Sequence, residues 1–226
     1  MKVLNNLYAY TWRGKDNNCN SFLIANSLKN NGHLLVDPGH ITTPFSNEPS
    51  LSRLIREIAA DGIDARQIGL IILTHCHPDH CEAARVIREQ NSAKVALNKA
   101  EEKLYKRFGG EADMYLEEGE LALGDENQLR LNIFLSPGHS PGHITIYWPE
   151  QKVLIAGDVI FYHRTGRVDL PGGSAEALRQ SIQMLSDLDI EYVLCGHPYG
   201  HPGIIAGKET VKENFDFLKR NVLPNL

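Results

Sequence analysis

The stretch Thr74-His75-Cys76-His77-Pro78-Asp79-His80 places three histidines and an aspartate within six residues. It follows Gly69–Leu73 (GLIIL), a short and wholly apolar run that is typical of a strand buried on both faces. The first two histidines are two positions apart, so an extended loop directs both to one side. The aspartate and the third histidine follow a proline-bearing turn, which directs them to a second position nearby. Because imidazole and carboxylate groups bind Zn²⁺, iron or manganese, the stretch predicts a metal site after a strand.

Other candidate ligands also follow predicted strands: His139 after Arg130–Leu135, Asp158 after Val153–Ala156, and His197 after Tyr192–Leu194. In layered α/β folds, functional sites gather at the carboxyl ends of strands. A single catalytic zinc takes three protein ligands and keeps one position for water. Seven candidate ligands exceed that number and favour two metals bridged by Asp158. His201 lies four residues after His197 and is an alternative ligand at that strand end.

Strands and helices alternate along the whole chain. Further strands are predicted over Val3–Tyr10, Ser21–Ala25, His33–Val36, Ala93–Leu97 and Ile144–Trp148, and helices over Ser50–Ala60, Cys81–Glu89, Lys99–Arg107, Ala175–Leu188 and Lys208–Asn221. No linker rich in Pro, Gly or Ser divides them. We therefore predict one α/β domain over residues 1–226, with helices on the outer faces of two stacked sheets.

Composition limits the partners and the compartment. The formal net charge is -5, which gives no attraction to nucleic acid or to an anionic membrane. The N-terminal residues do not resemble a signal peptide, and no run approaches the roughly 20 apolar residues of a membrane span. Four cysteines do not make a disulfide framework in a chain of this length. We expect a cytoplasmic protein with reduced thiols and a small-molecule substrate, as a monomer or a homodimer.

Four motifs together resemble the metallo-β-lactamase superfamily: THCHPDH at Thr74–His80, SPGHSPGH at Ser136–His143, Gly157-Asp158, and GHP at Gly196–Pro198. The resemblance covers most of the chain and implies a four-layer αβ/βα sandwich with the site at one edge. It also implies the ligand sets, which are His75, His77 and His139 for one metal, Asp79, His80 and His197 for the other, and Asp158 as the bridge.

A narrower resemblance concerns Gly157–Ile182, which looks like the corresponding segment of glyoxalase II-type hydrolases and of persulfide dioxygenases. The chain departs from the glyoxalase pattern in three ways. Cys76 and Cys81 replace the usual residues beside the ligands, the residues after His197 differ, and they leave no room for the helical extension that binds glutathione. The resemblance therefore implies a group of substrates without selecting one.

Metal-activated water is the chemistry that this ligand set predicts. A bound metal lowers the pKa of water to about 7, which gives hydroxide at neutral pH. Asp79 could orient that nucleophile or accept a proton, besides binding metal. Tyr162, His163, Arg164 and Arg167 follow the bridging aspartate and could hold a substrate carboxylate. The alternative for Arg167 is a structural ion pair with Asp169.

The first functional hypothesis is a hydrolase of a thioester or ester of a small, anionic metabolite, similar to glyoxalase II, with two divalent metal ions. Zinc is expected in both positions, with iron or manganese as alternatives. A lactonase is a second hydrolase of this kind. A persulfide dioxygenase would instead use one Fe²⁺ on His75, His139 and Asp158. A non-catalytic metal-binding module is the last hypothesis. Among the cysteines, Cys76 is the one that could change metal choice, because it lies between two candidate ligands.

Overall fold

The computed structural model describes residues 1–226 except for the side chain of residue 127. It divides into two compact units. The first comprises Met1–Leu116 and Ala122–Leu129, and the second comprises Glu117–Leu121 and Arg130–Leu226. The expectation of a single domain over the whole chain is not tested by this division and stays a prediction.

The first unit contains a seven-stranded sheet whose strands are hydrogen-bonded in chain order. They are β1 Lys2–Leu4, β2 Leu7–Tyr10, β3 Ser21–Ile24, β4 His33–Val36, β5 Ile68–Ile72, β6 Lys94–Leu97 and β7 Met114–Tyr115. The pairs from β1 to β4 are antiparallel, and those from β4 to β7 are parallel. Because parallel strands end at the same edge, the segments after β4, β5 and β6 lie close together.

Four α-helices accompany this sheet: α1 Ser50–Ala60, α2 Pro78–Cys81, α3 Ala84–Asn91 and α4 Glu102–Arg107. The predicted bounds of α1 are confirmed. Leu54 and Ile58 are buried on one face, and Leu51 and Ile55 pack beside them against the core. Apolar residues at helical spacing therefore hold α1 on the sheet, as the sequence predicts.

The second unit contains a six-stranded sheet in the order β15-β14-β11-β10-β9-β8, apart from a few residues of β8 and β9 that belong to the first unit. The strands are β8 Gly119–Leu123, β9 Leu129–Leu135, β10 Ile144–Trp148, β11 Val153–Gly157, β14 Tyr192–Cys195 and β15 Ile204–Ala206. β11 and β14 are neighbouring parallel strands, so the residues that follow them lie at one edge. β12 Ile160–Phe161 and β13 Arg164–Thr165 form a separate hairpin.

Two α-helices belong to this unit, α5 Ala175–Leu185 and α6 Lys208–Phe217. Ser174 is the N-cap of α5, as predicted, and its hydroxyl accepts a hydrogen bond from the Ala177 amide at 3.2 Å. Leu178, Ile182 and Leu185 point into a core of their own, which is distinct from the core of the first unit.

Two predicted elements differ from the structure by more than a residue or two at their ends. Val3–Tyr10 is not one strand but the hairpin of β1 and β2, which turns at Asn5-Asn6. The helix predicted over Cys81–Glu89 is confirmed from Ala84 onward, within α3, but its start is wrong, because α2 begins at Pro78, whose fixed φ suits the first helical position. The helix then breaks where the Ala83 amide donates to the Gly39 carbonyl at 2.8 Å instead of continuing the helical ladder.

Several other bounds differ by less. α5 ends at Leu185, before the predicted Leu188, and α6 ends at Phe217 and continues as a π-helical turn over Leu218–Val222. The short strands β7, β12, β13 and β15 have too few residues for a periodic pattern. In the described part of the chain, every helix is too short or too polar to cross a membrane.

Candidate metal centre

The loop after β5 carries the ligand-type side chains of the first unit. His75 and His80 are fully buried, Asp79 is 9% exposed, and His77 is half-buried. The ring centroids of His75 and His77 are 4.7 Å apart, and those of His75 and His80 are 4.1 Å apart. The structure therefore brings the three predicted histidines of this loop together, at the edge where β5 ends.

Asp37, at the end of β4, orients this loop. One of its oxygens accepts from the Thr74 amide at 2.8 Å, and the other accepts from the Thr74 hydroxyl at 2.6 Å. The second oxygen is also 2.9 Å from Nδ1 of His80. The ligand-type atoms of Asp37, His75 and His80 lie within 4.8 Å of one another. A carboxylate behind a histidine fixes the ring and its tautomer and leaves the other nitrogen to a metal.

The hydrogen bonds also set the tautomer of His75. Its Nδ1 is 3.0 Å from the Thr74 hydroxyl oxygen. That hydroxyl gives its only proton to Asp37, so the oxygen is an acceptor and Nδ1 is the donor. The lone pair of the neutral ring is then on Nε2, which is the form that binds a metal.

The turn at Pro78 separates the first two histidines of the motif from the later two ligands. His77 has extended backbone angles and caps α2, with Pro78 at its first position. Asp79 and His80 then lie within α2, after the turn. The Asp79 carboxylate accepts from the side-chain amide of Asn17 at 2.5 Å, which fixes its orientation.

In the second unit, three predicted ligands meet at one carboxylate oxygen. Oδ2 of Asp158 lies 3.5 Å from Nε2 of His139 and 3.4 Å from Nε2 of His197. Two atoms bound at ~2.0–2.1 Å to one tetrahedral ion are about 3.3–3.4 Å apart. The observed separations match those between neighbouring metal ligands and exceed those of a good hydrogen bond. The donor set and its spacing therefore fit a divalent metal bound beside Asp158.

Neighbouring groups fix the orientation of this second set. Nδ1 of His139 is 2.8 Å from the Arg167 carbonyl, which can only accept, so Nδ1 carries the proton and Nε2 the lone pair. The Asp158 amide donates to Nε2 of His143 at 3.1 Å. The ring of His201, the alternative ligand, stacks on Tyr162 with centroids 4.3 Å apart.

Two glycines make room for Asp158. A Cβ atom on Gly196 would lie 2.2 Å from Oδ1 of Asp158, and one on Gly166 would lie 1.8 Å from its carbonyl oxygen. Both distances are far below van der Waals contact. Glycine is therefore required beside the carboxylate of Asp158, at position 196, and beside its backbone carbonyl, at position 166.

The predicted substrate-binding residues lie in and after the hairpin of β12 and β13. Tyr162 and His163 stack on each other with ring centroids 4.1 Å apart. Arg164 and Arg167 are exposed. Arg167 forms a bidentate ion pair with Asp169, at 2.9 and 2.8 Å, which is the alternative that the sequence left open. The bonds from this guanidinium lower the pKa of Asp169 to about 2.

All four cysteines are buried. Burial raises the pKa of the Cys76 thiol, with a further contribution from its hydrogen bond to Cys81, and burial also raises the pKa of Cys195. Such thiols stay protonated at neutral pH and are poor nucleophiles. Cys76 and Cys195 are therefore packing residues at neutral pH.

Sequence reasoning missed Asp37, Asn17 and His143. Each forms a hydrogen bond with a candidate ligand residue. Asp37 and Asn17 lie far along the chain from their partners, and His143 is 15 residues from Asp158. The Asp37-Pro38-Gly39 turn at the end of a predicted strand was the one available signal for Asp37, since the carboxyl ends of strands are where such groups meet.

Comparison with known proteins shows the same family. The chain matches the model of the metallo-beta-lactamase superfamily over residues 14–197. It is 33% identical over 193 residues to a probable metallo-hydrolase of Methanocaldococcus jannaschii, covering 79% of this chain and 86% of that relative. It is 30% identical over 171 residues to a hydroxyacylglutathione hydrolase of Cereibacter sphaeroides, covering 75% of this chain and 63% of that relative.

Solved structures give the same result for the fold. The metallo-beta-lactamase family protein TTHA1429 from Thermus thermophilus superimposes with a TM-score of 0.75 at 22% identity, covering 96% of this chain and 79% of that one. TTHA1623, solved in a di-iron-bound form, superimposes with a TM-score of 0.69 at 27% identity, covering 94% and 97%. The predicted α/β fold class of the metallo-β-lactamase type is confirmed. The chain therefore belongs to the metallo-β-lactamase superfamily, whose members bind divalent metals.

Proposed function

We propose that this protein is a dinuclear metal-dependent hydrolase of a thioester or ester of a small, anionic metabolite. The observation that carries the proposal is the position of Asp158, whose Oδ2 lies at ligand–ligand distance from two imidazole nitrogens. The histidine loop of the first unit supplies the remaining ligands. In this proposal one metal would be held by His75, His77 and His139 and the other by Asp79, His80 and His197, and Asp158 would be a ligand shared by the two.

The proposed reaction uses water as the nucleophile. A bound divalent metal would lower the pKa of a water molecule and polarise the carbonyl group of the substrate. Asp79 orients the attacking water and takes up its proton, while the Asn17 amide keeps one carboxylate oxygen in place. The protein's own contribution is the fixed orientation of the ligand rings, through Asp37 and through the Arg167 carbonyl.

Two observations support the proposed substrate class: an exposed arginine near Asp158 in the chain, and the activity named for a related hydrolase. Arg164 is an exposed cation that follows Asp158, and guanidinium groups bind carboxylates well, whereas Arg167 is already paired with Asp169. A hydroxyacylglutathione hydrolase is among the relatives at 30% identity, although this chain covers only 63% of its length. A hydroxyacyl thioester with a free carboxylate is therefore the first substrate to test.

The deciding experiment measures metal content in anaerobically purified protein, followed by turnover of a panel of thioesters, esters, lactones and phosphodiesters. The proposal expects two divalent ions per chain, zinc or manganese or iron, and hydroxyacyl-thioester hydrolysis that a chelator abolishes. One iron per chain with oxygen consumption would instead identify a dioxygenase. Lactone turnover alone would identify a lactonase, and a metal-replete protein inactive on the whole panel would contradict an enzymatic role.

A pair of histidine variants tests the ligand assignment itself. His197→Ala is expected to lose one of the two metals, whereas His201→Ala, four residues later, is expected to keep both. Metal content per chain is the measurement, and each variant is first shown to be folded by circular dichroism. Equal metal content in His197→Ala and wild type would refute the assignment.

A further inference from the structure

A buried glutamate lies directly behind the histidine loop. Glu101 ends a 3₁₀ turn, Lys99–Glu101, that follows β6, and it precedes α4. Its side chain is inside the first unit, with 1% of the residue exposed. Glutamate is rarely buried to this extent unless its charge has a specific partner.

One oxygen of this carboxylate contacts the ligand loop. Oε2 of Glu101 accepts a hydrogen bond from the backbone amide of Cys76 at 3.0 Å. Cys76 is the residue between His75 and His77, so its peptide unit links the two candidate ligands. A hydrogen bond from an amide to a charged carboxylate is roughly twice as strong as one between neutral groups.

A second buried carboxylate, that of Asp37, also accepts a hydrogen bond from the backbone of this loop. Asp37, after β4, accepts from the Thr74 amide at 2.8 Å, while Glu101, after β6, accepts from Cys76. In the sheet, β4 and β6 are the two strands that flank β5. The backbone amides on either side of His75, those of Thr74 and Cys76, therefore each donate to a buried carboxylate that follows a strand flanking β5.

We propose that Glu101 is a positioning residue of the metal site. By holding the Cys76 amide it fixes the peptide that carries His75 and His77, and so raises the affinity of the metal bound by these histidines. This inference rests on the proposed function only in requiring that the two histidines bind metal. It does not depend on the substrate.

A purely structural role predicts a different outcome. Glu101 contacts Cys76, which belongs to the core of the first unit together with Cys81 and Tyr105. Removing it could lower the free energy of unfolding without changing the loop of a folded molecule. Metal affinity therefore has to be measured well below the unfolding midpoint of each metal-free variant.

The experiment compares Glu101→Ala, Glu101→Gln and Glu102→Ala by competition for Zn²⁺ against a chromophoric chelator. Removal of a group that orients ligands typically weakens metal affinity about 10–100-fold, and this is expected for Glu101→Ala. Glu101→Gln keeps an acceptor oxygen and is expected to restore most of the affinity. Glu102→Ala loses contacts with Lys99, Lys106 and Tyr115 at the surface and is expected to bind as wild type.

Two further measurements make the result decisive. The absorption spectrum of the Co²⁺ form is expected to change in Glu101→Ala and not in Glu102→Ala, because it reports ligand geometry. If Glu101→Ala does not fold, Glu101→Asp takes its place, since it keeps the charge but withdraws the acceptor by one methylene. Wild-type affinity and an unchanged Co²⁺ spectrum in the folded variant would overturn the inference alone, whereas a wild-type protein without metal would overturn the proposed function as well.

Discussion

Asp158 shows how much of the site is decided by single residues. Its carboxylate lies between His139 and His197, its amide donates to His143, and glycines adjoin it at positions 166 and 196. The sequence predicts the carboxylate as a bridge from its place after a strand. The requirement for glycine beside it becomes visible only when the two chain segments meet.

Gly196→Ala is expected to weaken metal binding and to destabilise the protein by about 1–3 kcal/mol, as overpacking usually does. The reason is the 2.2 Å approach of the new Cβ to Oδ1 of Asp158, which forces the carboxylate or the backbone to move. Metal content and urea unfolding are the measurements. Gly69→Ala is the control, because its Cβ meets a flexible leucine side chain at 3.3 Å, and equal effects in both variants would contradict the argument.

His33 gives a pH dependence of stability that is separate from the metal site. Burial lowers its pKa below the ordinary 6.5, and its Nδ1 accepts from the Asn26 amide at 3.1 Å. The unfolded chain therefore binds the proton more readily than the folded chain. Neutral His33 thus contributes to the free energy of unfolding above pH 6.5, and this contribution is lost as the pH falls further. Thermal unfolding of metal-free protein between about pH 7.5 and about 5 checks this. His33→Asn, which keeps an acceptor, is expected to flatten the curve, and an identical slope would contradict the assignment.

At the scale of elements, α1 and α5 were predictable because their signals are local. Apolar spacing identifies α1, and Ser174 identifies the start of α5. The division of the segment after Pro78 into α2 and α3 was not predictable. It depends on the Gly39 carbonyl, which is distant in the chain from the Ala83 amide that it binds.

Ser174→Ala is expected to lower the free energy of unfolding by about 1 kcal/mol, because α5 loses the acceptor for its Ala177 amide. Chemical denaturation measures the change. Ser174→Asp keeps an acceptor at the N-cap and adds a favourable charge near the helix N-terminus, so it is expected to be close to wild type. A loss of equal size in Ser174→Asp would show that the cap is not the cause.

At the scale of the whole molecule, each unit has its own hydrophobic core, and each carries part of the proposed ligand set. A ligand that binds only the folded state stabilises it by about 2.7 kcal/mol at a hundred times its Kd. For a chain of this size, that corresponds to a rise in Tm of roughly 5–10 °C.

Zn²⁺ is therefore expected to raise the Tm of metal-free protein by this amount, and a chelator is expected to reverse it. Asp158→Asn is expected to lose most of the rise, because a neutral amide is a poor bridging ligand. Differential scanning calorimetry is the measurement, with Asp169→Asn as the exposed control. A full rise in Asp158→Asn would contradict the bridging role.

The sequence by itself determined the α/β class and the main strands and helices, and it predicted the residues that would carry metal chemistry, because strand periodicity and His/Asp spacing are local properties. The tertiary structure alone decided which atoms orient those residues. Asp37, Asn17 and Glu101 reach the ligand loop from segments distant in the chain. Their hydrogen bonds depend on which strands are neighbours in the sheet. The motif from His75 to His80 thus predicts the metal ligands, and carboxylates that follow the two strands flanking β5 hold the backbone of that loop.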